Sequence, residues 1–442
     1  MTPLGAVKRL VPRPLRRQYH HLLAFIASWI YGRPSRHLVV ICVTGTDGKT
    51  TTATMIASVL AAAGALVGLS TTAIVQVGDR RWLNETHMTM PGRMALQRLL
   101  RQMVGAGCRY AVLEVSSEGL TQYRHIGIDF DVAVVTNVTP EHLDAHGSLE
   151  AYRHVKGLLF NTIIRGGDKR FSGQAIPKIT VVNLDDPTHD YFLKFWAEAH
   201  YGTSLNQPPE LTIPNAGKIT TLYPMQVNYQ PHQSEMTVDG HRLTVNLPGE
   251  YNVRNALQAA AVGRGLGLDW ATIAAGLSQV KMIPGRGEEI VTHRPWRVVV
   301  DYALTPAALR EFYKSLIQSG AWRIIAVFGA AGGGRDKWKR PELGKIAAQY
   351  CEKIILTTDD PYNENPSQIA DEIKQGVPPA ETRKVETVLD RHDAIQRAMK
   401  LAQPGDVVAI TGMGSETSMM VKDQRVAWND AQVARELLAK PA

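Results

Sequence analysis

The sequence predicts an α/β protein with two open, mostly parallel sheets, one in each of two successive domains. Three observations carry that prediction. Short β-branched runs alternate with longer helical patterns from residue 38 onward, as βαβ units require. The same alternation starts afresh after Pro284-Gly285-Arg286-Gly287, a stretch of linker composition. A glycine-rich turn, Gly45-Thr46-Asp47-Gly48-Lys49-Thr50, stands between a strand-like run and a helix-like one. At 442 residues and 44% hydrophobic content, the chain can bury the cores of two or three domains.

Residues 1–37 read as a basic amphipathic leader. Lys8, Arg9, Arg13, Arg16, Arg17, Arg33 and Arg36 fall within residues 1–46 with no acid among them, so seven of the eight net positive charges lie there. The rest of the chain is nearly neutral, which argues against nucleic acid as a partner. LLAFIASWIYG, residues 22–32, follows; its apolar run of about ten residues is too short to span a bilayer, and no small-residue cleavage site comes after it. Two readings stay open. The helix packs its apolar face on the domain behind it, or it lies on an anionic membrane surface as a peripheral contact through residues 1–32. Cys42, Cys108 and Cys351 are odd in number and have no metal-ligand spacing, so they read as reduced thiols of a cytoplasmic protein without structural zinc.

The central domain, 38–284, has strands expected in HLVVICVTG, YAVLEVS, DVAVVTNV and ITVVNLD, and helices following Lys49, Met94 and Glu150. MTVDGHRLTV, residues 236–245, centres an Asp-Gly between alternating residues and reads as a hairpin. Helical text resumes at Asn252. The last domain, 285–442, has strands expected in RVVVDYA, RIIAVFGA, KIILTTDD and DVVAITGMG.

The turn at residues 45–50 has the chemistry of a phosphate loop. Glycines let backbone N–H groups approach phosphate oxygens, the helix N-terminus favours negative charge, the lysine reaches terminal phosphates, and a threonine hydroxyl can ligate Mg²⁺. Its glycines are two residues closer together than in the common G-x-x-x-x-G-K-[ST] pattern. Gly45, Thr46, Gly48, Lys49, Thr50 and Thr51 are therefore the candidate ATP-phosphate residues.

TGTDGKTTT, LEVSSEGLTQYR, TNVTPEHLDAHGSLEAYRHVK, GEYNVRNAL, PGR and VVVDYALTPAAL occur in an order and at spacings that resemble the Mur ligases. Among these they look most like the MurE type, which adds the third amino acid to a UDP-N-acetylmuramoyl dipeptide. The resemblance runs from about residue 38 to the end of the chain. It implies a central P-loop ATPase domain, a C-terminal Rossmann-like domain, and an ATP-dependent amide ligase working in peptidoglycan synthesis. ATP would phosphorylate a substrate carboxylate, and the amine of a free amino acid would displace phosphate from the acyl phosphate, leaving ADP. Carried over residue by residue, it implies Thr50 and Glu114 at one Mg²⁺ and His142 at a second. Lys156 would be carbamylated at the metal site, making Lys49, His142 and Lys156 the catalytic set. Asn252 and Asn255 would contact the nucleoside, Arg286 a phosphate and Asp301 the ribose. Thr89, Ser116, Gln122 and Arg124 would hold the muramoyl-peptide, and Arg335, Asp359 and Glu416 the amino acid. Taken singly, Glu114 reads as a solvated strand end, His142 as a surface or cap histidine and Lys156 as an exposed lysine.

The departures narrow the implication. The family's Asp-Asn-Pro-Arg tetrad for diaminopimelate reads Asp359-Asp360-Pro361-Tyr362, which puts diaminopimelate itself in doubt. Leu304 and Glu118 replace histidines, and Met413 and Ser415 alter a GKGHE pattern. About 40 residues precede the phosphate loop where MurE-type enzymes carry a uridine-nucleotide domain, so the acceptor is either UDP-linked and held from elsewhere, or lipid-linked as for MurT-type subunits. Folylpolyglutamate ligases are disfavoured by LEVSS and DYALTP. A non-catalytic, membrane-associated ATP-binding module is the competing class.

Overall fold

The computed structural model describes residues 13–86, 88–171, 173–208, 212–213, 217–422 and 424–440. Lys8 and Arg9 of the leader lie outside them. The first body is built on a nine-stranded sheet. Its spatial order is Thr220–Leu222, Ala199–Thr203, Ile179–Asn183, Val132–Val135, Val39–Thr44, Tyr110–Glu114, Val67–Ser70, Ile74–Val77 and Arg80–Leu83. The strands run parallel up to Val67–Ser70, and the last two are added as antiparallel hairpins.

Alternation explains why the central strands are apolar throughout. Val39, Ile41 and Val43 pack beneath helices Lys49–Ala62, Glu250–Gly265 and Trp270–Gln279, while Val40 and Cys42 face helices Arg93–Gly105 and Leu149–Arg165. A parallel sheet covered on both faces has no water-facing side to keep polar. The three cysteines are buried free thiols. The Asp239-Gly240 hairpin forms as read, joining Ser234–Val238 to His241–Val245 with positive φ at both turn residues.

The second body carries a six-stranded sheet in the order Glu288–Ile290, Arg297–Asp301, Val407–Thr411, Ile324–Phe328, Lys353–Leu356 and Val385–Thr387. Only Glu288–Ile290 is antiparallel to its neighbour. Its two faces bury separate apolar clusters.

The leader forms a helix, Arg13–Ile30, and packs on helix Arg93–Gly105, but not by its large apolar side chains. Ala24, Ala27 and Ser28 are buried at 0–2% exposure, and Ser28 Oγ donates to the Gly127 carbonyl at 3.0 Å. Small residues at i, i+3 and i+4 let the backbone come close. Leu22, Phe25, Ile26, Trp29 and Ile30 remain 41–63% exposed on the outer side. No helix among the described residues is long and apolar enough to cross a membrane.

Candidate active site

Parallel strands of both sheets end at one cleft of about 1510 Å³. Crevices outside the carboxyl ends of such strands are where α/β folds bind ligands. On the first body, the turn after Val39–Thr44 is the glycine-rich loop. Gly45 has φ 147°, and a Cβ there would lie 1.8 Å from Thr136 Oγ1, so only glycine lets the loop approach the next strand end. That strand end then staples the loop. Thr46 N donates to the Asn137 carbonyl at 2.8 Å, Asp47 N to Asn137 Oδ1 at 3.0 Å, and Thr136 Oγ1 to the Asp47 carbonyl at 2.6 Å.

Glu114 ends its strand 2% exposed, buried rather than solvated. Its carboxylate accepts from Thr50 Oγ1 at 2.9 Å, Thr72 N at 2.8 Å and Thr72 Oγ1 at 3.0 Å, with Lys49 Nζ 4.0 Å away. Lys49 Nζ also donates to the Thr46 carbonyl at 2.8 Å. The Thr50 and Glu114 oxygens are hard donors side by side, which fits Mg²⁺, an ion that keeps several waters and needs few protein ligands.

His142 sits with φ 57° just before the short helix Leu143–His146, half-buried, its side chain capping nothing. Burial and the charges of Arg335, Lys339, Lys156 and Lys49 pull its pKa down to about 3, so the ring is neutral and free to ligate. Glu114 and His142 join no cluster of three ligands. Among the described residues that arrangement occurs only at Asp390, His392 and Asp393, two exposed carboxylates and a half-buried histidine.

Lys156 is 1% exposed, contrary to its reading as an exposed lysine. Nζ donates 2.7 Å to the Gly45 carbonyl and stands 4.2 Å from the Tyr152 ring centroid. Burial, then the Lys49 charge, hold its pKa well below that of an ordinary lysine.

The second body meets the first across the cleft. Gly285 has φ 63°, and a Cβ there would fall 2.0 Å from Ser415 N, so the turn is wedged onto the second body. Gly287 N donates to Asp301 Oδ2 at 2.6 Å. Arg286 stacks 4.2 Å over Tyr302 and sends Nη2 to Thr50 Oγ1 at 3.2 Å. Its Nε is buried without a partner among the described residues, an orphaned cationic donor that fits a phosphate oxygen. Asp301 is raised to about 6 by burial. Asn255 lies with Asn252 at 3.3 Å and receives Thr52 Oγ1 at 3.1 Å, so it also braces the loop helix.

Thr89, Ser116, Arg124, Arg335, Asp359 and Glu416 line the same cleft; Gln122 does not. Gln122 instead accepts two bonds from Arg124, at 3.1 and 2.7 Å, and orients that guanidinium. Ser116 Oγ caps the helix after it by accepting from Gly119 N at 3.1 Å, and Thr89 Oγ1 lies 3.0 Å from Thr72 Oγ1, whose own proton goes to Glu114. Asp359 is 3% exposed, its Oδ2 has no partner among the described residues, and burial raises it to about 7. Tyr302 Oη donates to Glu416 Oε1 at 3.5 Å.

Sequence reasoning missed the groups that hold this arrangement. Thr72 secures Glu114, yet lies in no motif. Asp336 accepts Leu143 N and Asp144 N at 3.1 and 3.0 Å, and Lys339 pairs with Glu141 at 2.9 Å, so two residues of the second body grip the turn that carries His142. Thr305 Oγ1 donates to Asp47 Oδ2 at 3.0 Å. Asp336 and Lys339 stand beside Arg335 in GGGRDKWKRP, the one local signal that could have found them.

The Mur ligase middle-domain model matches residues 43–263, and the Mur ligase glutamate-ligase-domain model matches 285–414. A UDP-N-acetylmuramyl-tripeptide synthetase of Roseiflexus sp. strain RS-1 is 37% identical over 438 residues, 95% of this chain and 82% of the relative. A UDP-N-acetylmuramoyl-L-alanyl-D-glutamate--2,6-diaminopimelate ligase of Geobacillus kaustophilus is 36% identical, covering 96% of this chain and 84% of its own length. A solved structure titled as that same type of ligase aligns with TM-score 0.57 and 30% identity, over 91% of this chain and 78% of its own. Folylpolyglutamate synthase of Mycobacterium tuberculosis has TM-score 0.69 over 94% of both chains at 18% identity, a likeness of fold alone. With both family domains matched in order around one shared cleft, the chain belongs to the Mur ligase family of ATP-dependent ligases.

Proposed function

We propose that this ligase joins a free amino acid to the peptide of a muramoyl-peptide cell-wall precursor through an acyl phosphate, releasing ADP and phosphate. Residues 38–284 act as the ATP-binding lobe and 285–442 as the amino-acid lobe, with 1–37 as a leader. The observation that carries the reading is the single cleft in which the phosphate loop, Glu114, His142, Lys156, Arg286, Arg124, Arg335 and Asp359 all take part.

In this reading the loop of residues 45–51 cradles the ATP phosphates, with Lys49 and Arg286 opposite the charge that grows on the transferred phosphoryl group. Thr50 and Glu114 would hold one Mg²⁺ and His142 a second, and the bound metal supplies further charge neutralisation. Lys156 is an amine made less basic by burial, and the neutral amine is the form that adds CO₂. Its carbamate would turn a cation competing with the metal into an anion supporting it. Arg124, oriented by Gln122, presents a two-pronged donor to the acceptor carboxylate, alongside Thr89 and Ser116. Asn252, Asn255 and Asp301 take the nucleoside.

On the far side, Arg335 faces the amino acid's carboxylate while Asp359 and Glu416 face its ammonium group. The ammonium group first gives a proton to one of the carboxylates facing it, the resulting amine attacks the acyl carbon, the C–O bond to phosphate breaks, and nitrogen gives its second proton to the departing phosphate as the amide forms. Closure of the two lobes keeps water from the acyl phosphate.

The test is to incubate the protein with ATP, Mg²⁺, UDP-linked and lipid-linked muropeptides and a mixture of amino acids, reading ADP and product mass. A new amide accompanied by ADP is expected. ATP binding with no amide from any acceptor would leave a non-catalytic module as the better account. The exposed outer face of helix Arg13–Ile30 favours a second reading of the acceptor, a lipid-linked muropeptide met at the cytoplasmic face of the membrane.

A further inference from the structure

We infer that helices Arg13–Ile30 and Arg93–Gly105 together form a docking face for an anionic bilayer surface. The first helix has two stripes. Ala24, Ala27 and Ser28 are used up against the protein, at 0–2% exposure. Leu22, Phe25, Ile26, Trp29 and Ile30 follow the i, i+3, i+4, i+7, i+8 spacing of one helix face and point outward, 41–63% exposed. Scattered apolar side chains on a surface need no explanation, but a continuous stripe of five large ones on one helix does.

Charge selects the occupant. Helix Arg13–Ile30 includes Arg13, Arg16 and Arg17 and no acid. Helix Arg93–Gly105, packed against it, contains Arg93, Arg98 and Arg101, again with no acid, and Arg98 and Arg101 are exposed. The Arg33 guanidinium lies 5.5 Å from the Trp29 ring centroid, so the aromatic at the stripe's end is paired with a cation. An apolar strip containing Trp and Phe and bordered by arginines matches the layering of an anionic membrane, with acyl chains beneath acidic headgroups. A second copy of the chain would bring like charges together around the stripe. The packed inner stripe fixes the helix on the body, so docking orients the whole molecule. His21 lies 6.0 Å, ring to ring, from Tyr123, next to Arg124 of the cleft. Docking therefore brings the acceptor end of the cleft close to the membrane-bound helix; its meaning as the acceptor end rests on the ligase reading above, whereas the docking itself does not.

The test is co-sedimentation of the full-length protein with phosphatidylcholine vesicles, with and without phosphatidylglycerol, in the absence of ATP. Binding to the anionic vesicles is expected, weakened by salt and reduced about tenfold or more in a Leu22→Gln, Phe25→Gln, Trp29→Gln variant. All three positions are exposed, so the variant should keep the parent Tm and its turnover with soluble substrates. An Arg98→Gln, Arg101→Gln variant should lose part of the binding and part of its salt dependence. No binding to anionic vesicles, or binding indifferent to the triple change, overturns the inference. So does a concentration-dependent dimer in solution that the triple change dissolves, since a second copy would then cover the face. Because no step of the assay needs turnover, a protein inactive as a ligase can still support docking, and an active one can still refute it.

Discussion

Glu114 and Asp359 make an instructive pair. Each follows a parallel strand toward the same cleft, each is buried, at 2% and 3% exposure, and yet their surroundings are opposite. Glu114 has its oxygens taken by Thr50 and Thr72 with Lys49 nearby, whereas Asp359 Oδ2 has no partner among the described residues and burial lifts its carboxyl to about 7. In the proposed mechanism, a carboxylate already satisfied would be fixed in place for chemistry common to every turnover. One left short of a partner would wait for a cation, and so select a substrate.

The contrast can be broken most strongly at its fixed end. Glu114→Gln keeps the shape and an acceptor oxygen but removes the charge beside Thr50. Turnover is expected to fall about a thousandfold with the fold intact, the scale of one lost electrostatic contact to a transition state. Steady-state ADP release with a circular-dichroism melt checks it, and a variant within a few-fold of the parent would refute the metal role.

Lys156→Ala should lower turnover about a hundredfold or more, with partial recovery on adding formate or acetate as a small replacement anion. Lys156→Arg should not recover. Absence of rescue, together with indifference of the parent enzyme to CO₂ removal, would argue that the amine is never carbamylated.

Asp359→Asn tests the waiting end. The KM for the amino acid should rise about ten- to a hundredfold with the KM for ATP unchanged. In the parent, that KM should rise as pH falls below about 7, where Asp359 takes up its proton, and the variant should lose this dependence. Stability should move the other way. A carboxyl raised from 3.8 to about 7 binds its proton in the folded state while the unfolded chain has released it, so the fold weakens as pH climbs through that window. Removing the charge should raise Tm at neutral pH, by about 2–4 °C for each kcal/mol relieved.

The smallest effect belongs to the grip between the bodies. Asp336→Asn weakens the hold on Leu143 N and Asp144 N without touching the cleft's phosphate loop. A decrease in kcat of about tenfold is expected, with nucleotide affinity preserved in a binding assay.

Legibility followed the range of the interactions. The central strands of both sheets were readable because burial on two faces writes itself as an apolar run, whereas outer strands such as the exposed Arg80–Leu83 and the largely half-buried Val385–Thr387 were not; the Asp239-Gly240 turn was readable because its backbone demands particular residues. The phosphate loop was readable because its glycines and lysine stand close together in one short turn, Gly45 to Lys49. The burial of Lys156 was not, although the family resemblance pointed to the residue, since nothing in LEAYRHVKGLLF records that a glycine loop more than a hundred residues earlier closes over it. Thr72, Asp336 and Lys339 were silent for the same reason, as each acts on a partner far away in the chain. The leader shows a subtler limit. Its amphipathic pattern was visible, but which stripe turned inward depended on the small size of Ala24, Ala27 and Ser28 against a neighbouring helix.

The wedging of Gly285 against Ser415 has a mechanical corollary. Arg286 rides with the second body instead of hanging on a slack tether, so any swivel between the halves belongs upstream, in the irregular residues 280–283. The guanidinium then behaves like the bolt of a door. In the proposed reaction it would be withdrawn from Thr50 while the door stands ajar, and only when both halves shut, with their cargo between them, would the bolt slide home to the contact seen here and let phosphate move.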